Sequence, residues 1–334
     1  MKIRKFLLRT KGGQILTLAA FGVIVALAIG EVAAQVMFAR QVRGWDEWMA
    51  DPRHCFVASD NPTLAFQLKP NVAGVFEGHS LRINSHGIRD DSDDLYQDKR
   101  RIALLGDSVT FSTSVNQEEA VAARLQQLLD PGAEKTKVLN FGCSGYSLFE
   151  MPDHLRRLAR IYKPNEIVFL FNPNDFSERD TVYEGADGGL YRMYVHPTLK
   201  LPAAIKKVVY RQHKGGGLVS AEWYAWMYNG TKSRAFPKLL ELRDEAKKMG
   251  ADFSVVMLPT FTTSEPEGPA VKQMYAEIAA FAKANNIRFA DTTEFFAPHM
   301  KDWVDESDHN TAAGNQGLAE AIKKLVIDAP PEQK

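Results

Sequence analysis

From Arg100 to Val326 the chain alternates short apolar runs with segments that carry apolar residues at helical spacing, and this alternation constrains the fold more than any other feature. Residues 101–105, 137–141, 166–171, 252–258 and 287–290 read as strands. Between them, residues 118–129 place Ala120, Val121, Leu125, Leu128 and Leu129 on one helical face, and 148–162, 235–249, 270–285 and 317–326 also read as helices. Strands alternating with helices build a parallel sheet covered on both faces. Residues 166–171, apolar after Glu166, fit that double burial. The predicted class is α/β, a three-layer, doubly wound parallel sheet. Residues 176–235 interrupt the rhythm with Tyr183, Tyr191 and Tyr194, a helical stretch at 201–210 and three glycines at 215–217. Such an insertion is expected to overhang the sheet rim and set specificity.

In open parallel sheets the chemistry sits beyond the C-terminal ends of the strands. Gly106-Asp107-Ser108 follows the first strand, Gly142-Cys143-Ser144-Gly145 the second, and Asn172-Pro173-Asn174-Asp175 the third. A fourth cluster, Asp305-Glu306-Ser307-Asp308-His309-Asn310, precedes the last helix. A serine hydroxyl is a weak nucleophile until a base removes its proton and nearby donors receive the charge it passes on. Taken singly, Ser108 is a turn serine, Asn174 a turn former and His309 a histidine approaching a helix. Brought to one rim in this order, they supply nucleophile, donor and base.

These pieces resemble the SGNH hydrolase superfamily, also called the GDSL family, over residues 100 to about 327. Gly106-Asp107-Ser108 matches the nucleophile block, with Val109 where leucine is often found. Gly142 and Asn174 fall on the oxyanion glycine and asparagine, although Asn172 stands where the third block usually has glycine. His309, five residues before Gly314, resembles the histidine block. The resemblance implies an SGNH/flavodoxin-like sheet and an acyl-transfer site. In it Ser108 attacks an ester carbonyl, His309 moves the proton, and the Ser108 and Gly142 amides and the Asn174 side chain hold the oxyanion. Asp107 and Asp175 are expected to support the two turns through backbone hydrogen bonds. The family places an aspartate three residues before the histidine, where this chain has Glu306. Glu306 is ranked first as the carboxylate behind His309, Asp305 second and Asp308 third.

The N-terminus predicts a membrane segment. Lys2, Arg4, Lys5, Arg9 and Lys11 precede an apolar stretch from Ile15 to Phe38, whose one charge is Glu31. Its 24 residues exceed the roughly 20 that cross a bilayer, and the basic cluster should stay in the cytoplasm. The expected location is the cytoplasmic membrane, single-pass, with the catalytic domain on the extracytoplasmic (periplasmic) side. The alternative is secretion after signal cleavage near Ala26-Leu27-Ala28. Glu31, toward the outer end, is read as reaching the interface. Residues 1–39 then form a basic tail and anchor, 40–99 a small β-rich extension, and 100–330 the α/β domain with its insertion at 176–235.

With 41 basic and 41 acidic residues, nothing favours a nucleic-acid partner. The only two cysteines, Cys55 and Cys143, are read as free thiols, Cys143 as a packed one. No cluster has metal-ligand spacing, and no cofactor is implied. Tyr146 and Trp223-Tyr224-Ala225-Trp226 could line a sugar cleft, but core packing is the favoured reading. The expected partner is an acyl ester or carbohydrate substrate, with an O-acetyl ester on a glycan as one form. Besides an ester hydrolase, two functions stay open: an O-acyltransferase of an envelope or exported polysaccharide, and a catalytically silent binding or assembly module.

Overall fold

The computed structural model describes residues 10–50, 54–61, 63–64, 66–76, 78–177, 200–202, 204–205, 221–260, 268–305 and 309–328. Five strands, β5 (Arg100–Gly106), β6 (Thr136–Gly142), β7 (Glu166–Phe171), β8 (Asp252–Met257) and β9 (Arg288–Asp291), pair in parallel in the order β6-β5-β7-β8-β9. The central strand β7, apolar after Glu166, is buried from end to end, and β5 is buried after Arg100.

Alternate residues face two separate cores. Ile102 and Leu104 of β5 point, with Val168 and Leu170, toward α3 (Val121–Leu129) and α9 (Ala312–Ile322). Ala103 and Leu105 point the other way, with Phe169 and Phe171, toward α4 (Met151–Tyr162), α5 (Ala221–Lys248) and α6 (Pro269–Ala284). The expected three-layer α/β sandwich is therefore the observed one.

Two helices differ from the sequence reading. The helix expected at residue 235 begins at Ala221, because Trp223, Tyr224, Met227 and Tyr228 are buried there. Tyr228 stacks edge-on against Phe176 at 4.7 Å, so tertiary packing rather than periodicity sets this start. The closing helix begins at Ala312 instead of residue 317: the Thr311 hydroxyl accepts the Gly314 N–H at 3.2 Å and caps it. Tyr146 and Trp223 are core aromatics, and both cysteines are buried and outside any disulfide among the described residues.

At the N-terminus, α1 runs unbroken from Lys11 to Ala50, across the boundary expected at residue 39. Its Lys11–Met37 portion, 27 residues with mean hydropathy 2.4, is long and apolar enough to cross a membrane. The extension that follows consists of two antiparallel hairpins, β1 (Phe56–Ala58) with β2 (Phe66–Leu68) and β3 (Val72–Phe76) with β4 (His79–Ile83).

This extension is an integral part of the domain. Phe66, Leu68, Ile83 and Ile88 share a core with Phe111 and Phe141. Arg89, 4% exposed, donates to the carbonyls of Phe111 (2.9 Å), Ser112 (2.5 Å) and Val115 (2.8 Å) and to Gln117 Oε1 (3.0 Å). Burial lowers its pKa to about 10, so it stays charged at neutral pH. Arg89→Ala should cost about 3 kcal/mol, since it leaves several buried carbonyls unpaired. Chemical denaturation measures this; a loss below about 1 kcal/mol would show that water replaces the guanidinium.

Candidate functional site

The strand order reverses between β5 and β7, with β6 on one side of β5 and β7 to β9 on the other. A reversal of this kind opens a crevice between the loops leaving the two strands. Ser108 leaves β5 and Asn174 leaves β7, so the crevice has the serine on one wall and the asparagine on the other.

Ser108 opens a single helical turn, α2 (Ser108–Phe111). Asp107 is its N-cap: Oδ1 accepts the Val109 N–H at 2.9 Å. Ser112 closes it in the left-handed region (φ 65°), and its N–H donates to Ser108 O at 2.8 Å. Arg89 holds the carbonyls at that end, a cation where the helix end is negative. Ser108 is half-buried, and its hydroxyl makes no hydrogen bond among the described residues. Its main-chain N–H belongs to the first turn, where helical donors have no intrahelical partner.

Two glycines let this turn lie directly on the sheet. A Cβ on Gly106 would stand 2.0 Å from Thr110 Oγ1, and one on Gly142 would stand 2.2 Å from Phe111 N. Gly142 therefore answers to space. Its N–H donates to Asn140 Oδ1 at 2.9 Å, so the expectation that this amide faces an oxyanion is not met. Three residues on, Gly145 sits half-exposed at φ 83° in a turn closed by the Tyr146 N–H on Cys143 O at 3.2 Å. Its amide has no partner among the described residues.

The asparagine block forms a 3-10 turn, Pro173–Phe176. Asn172, the departure from glycine, has a structural use: its Oδ1 accepts the Asn174 N–H at 3.2 Å. Asp175 Oδ2 reciprocates by accepting the Asn172 N–H at 2.9 Å, completing a capping box. The loops are tied together by Cys143 N–H to Gly106 O and Leu148 N–H to Asp175 O, both 3.0 Å.

His309 comes from a narrow loop. Val304 and Asn310 bridge antiparallel, and the Asp305 N–H donates to His309 O at 2.8 Å. Asp305 Oδ1 in turn accepts the His309 N–H at 3.1 Å, so this carboxylate shapes the loop that carries the histidine. Glu306 and Asp308 lie outside the described residues. The His309 ring is near enough to Asp107 to favour its charged form, and the Asn174 side chain also bears on Asp107. Asp107, which caps the Ser108 turn, thus lies within electrostatic reach of both His309 and Asn174.

Asp107 and Asp175 are both buried, and burial raises both carboxyls, Asp175 well above its ordinary value. The Asp107 charge adds to the rise at Asp175. Asp107 has Val109 N–H, His309 and Asn174 to stabilise an anion, whereas Asp175 has only the Asn172 N–H. Asp175 is therefore the carboxyl held further above the ordinary range.

Other reactive groups are unsuited to the chemistry. Burial pushes the Cys143 thiol up, away from thiolate. His154, fully buried with Nε2 3.0 Å from Phe141 O, has its pKa lowered to about 3 by burial. Among the described residues no group of His, Cys, Asp and Glu could hold a metal ion.

The Asp175 proton has a stability signature. A carboxyl whose native pKa is raised gives up its proton on unfolding, so its contribution falls as pH rises from the unfolded value toward the native one. Asp175→Asn should gain stability relative to the parent as pH rises above the ordinary carboxylate range, by up to about 1.4 kcal/mol per pH unit. Parallel stability curves for the two proteins would refute a protonated Asp175.

The sequence matches the GDSL-like lipase/acylhydrolase family over residues 104–316, more than half of the chain. No curated protein sequence matches it. Among solved structures it is similar to the psychrotrophic esterase EstA from Pseudoalteromonas sp., with 13% identity, TM-score 0.44, and 69% of this chain and 97% of that one covered. The acetyl xylan esterase AlAXEase gives 12% identity, TM-score 0.41, and coverage of 68% and 99%. A lipolytic G-D-S-L family protein from Veillonella parvula gives 15% identity, TM-score 0.42, and coverage of 69% and 100%. Because the family match spans the serine, asparagine and histidine blocks, the chain belongs to the GDSL-like lipase/acylhydrolase family.

Proposed function

We propose that the ester hydrolysis of this family is carried here by Ser108 and His309, on O-acyl esters met outside the cytoplasmic membrane. The observation that carries the reading is that Asp107, the cap of the Ser108 turn at the β5/β7 crevice, lies within electrostatic reach of both His309 and Asn174. Ser108 Oγ attacks the ester carbonyl carbon as His309 takes its proton. The carbonyl oxygen, now negative, accepts from the Ser108 main-chain N–H and the Asn174 side chain. Gly145 N–H is the third donor in place of Gly142, because it is unpartnered at the rim while Gly142 N–H is held by Asn140. When the carbon–oxygen bond breaks, His309 returns the proton to the leaving alcohol, and water repeats the sequence on the acyl-enzyme. A carboxylate of the 305–308 loop orients His309, with Glu306 first and Asp305, already bonded to the His309 main chain, second.

The location follows from the Lys11–Met37 segment and the basic residues before it, which together support an uncleaved anchor with residues 40–330 beyond it. An O-acetyl group on a glycan is the substrate most in keeping with the resemblance.

The purified protein should react with a fluorophosphonate probe, and Ser108→Ala should abolish labelling. Absence of labelling in the parent would instead support a silent binding module. Asn174→Ala should lower kcat for p-nitrophenyl acetate by about 10²–10³ with little change in KM. Acetate release measured with and without a sugar acceptor separates hydrolase from transferase. A sugar that gains the acetyl group at the expense of free acetate would overturn the hydrolase reading.

A further inference from the structure

The anchor helix meets residues 200–201 of the insertion. Glu31 lies six residues inside the outer end of the Lys11–Met37 segment. Its Oε1 accepts the Lys200 N–H and its Oε2 the Leu201 N–H, both at 2.8 Å. Gln35, one turn on, donates from Nε2 to Oε1 at 2.5 Å. Leu201 begins a helical turn, so Glu31 satisfies main-chain donors that have no partner within that turn.

Packing agrees with the hydrogen bonds. A Cβ on Gly30 would stand 3.3 Å from both methyl carbons of Leu201, whose side chain lies over the glycine. Ala34, on the same face, is 4% exposed, whereas Ile29 and Val32 on other faces are 64% exposed. Small residues four apart make the kind of face against which a membrane helix admits a neighbour. A carboxylate inside an apolar span is costly unless it is paired, and here its partners are two amides of residues 200–201.

The segment seated there has a defined place in the chain. It follows the Asn174 turn, which ends at Phe176, and precedes α5, which packs on that turn through Phe176 and Tyr228. The anchor itself continues without a break to Ala50 and passes against β1. The catalytic domain is therefore held to its membrane helix at two points.

We infer that Glu31 is a positioning residue: it seats the insertion on the membrane helix, so that the enzyme acts preferentially on esters presented at the bilayer surface. This rests on the anchored, ester-hydrolysing reading above. It assigns to the charge in the span a role that a simple tether does not need.

The test uses the full chain in vesicles of phosphatidylethanolamine and phosphatidylglycerol. The paired substitutions Gly30→Cys and Leu201→Cys should be joined by a short bifunctional thiol reagent, with the native cysteines buried and out of reach. Adding Glu31→Ala should reduce the joined fraction about fivefold, and Glu31→Gln, which keeps one acceptor oxygen, should reduce it less. In the otherwise native chain, Glu31→Ala should raise KM for p-nitrophenyl palmitate in the vesicles about fivefold while kcat and KM for aqueous p-nitrophenyl acetate stay within about twofold. No cross-link in the parent pair, or a cross-link and vesicle-ester KM indifferent to Glu31→Ala, overturns the seating. Release of the chain from membranes by alkaline carbonate overturns the anchored reading instead, and loss of p-nitrophenyl acetate hydrolysis on Ser108→Ala checks the enzymatic reading independently.

Discussion

α2 rests on the ends of β5 and β6, its backbone directly over Gly142 and its Thr110 side chain over Gly106, and the rest of the site depends on that contact. Gly106 and Gly142 make it possible, since a Cβ at either position would overlap Thr110 or Phe111. Close approach fixes the direction in which Ser108 leaves the sheet. It also removes Gly142 from the donor set, because its N–H is taken up by Asn140. The amides left to face the crevice are those farther along the rim. One glycine supplies the space and another the exposed donor, a division of labour that a motif treating the loop as one unit does not reveal.

The turn is held from both ends by groups that are themselves buried. Asp107 caps its start, and Arg89, from the N-terminal extension, gathers the carbonyls at its finish. A guanidinium with four good acceptors in a low-dielectric setting is costly to remove, so the extension acts as a buttress for the nucleophile. Beneath the serine, burial and mutual repulsion set two carboxyls apart. Asp107 is raised less because a main-chain N–H, a histidine and an asparagine favour its anion, and Asp175, raised further, caps the 3-10 turn.

Much of this was legible in the chain because the chemistry sits where strands stop. Ser108, Asn174 and His309 stood out because each follows a strand or precedes the final helix. Their meeting across a topological reversal follows from the strand order. Asn172 looked like a departure from a family pattern, and its side chain proves to cap the turn in place of glycine's freedom. Arg89 was not legible: an arginine in a polar run before an acidic stretch gives no sign that it will be 4% exposed on carbonyls of residues 111 to 115. The early start of α5 was hidden for a related reason, since its aromatics face a partner, Phe176, that lies 45 or more residues away in sequence.

The sequence by itself determined the class of fold, the apolar span and the candidate side chains at the strand ends, because periodicity and strand-end position are local properties of the chain. Only the tertiary structure decided which glycine is a spacer and which offers an amide, which of two buried acids is raised further, and what the lone carboxylate in the span holds. Each of those depends on which atom of a distant residue fills the neighbouring space. Glu31 reads as an interfacial charge until Lys200 and Leu201 are placed against it, because hydrogen bonds and burial are set by contacts that no local pattern encodes.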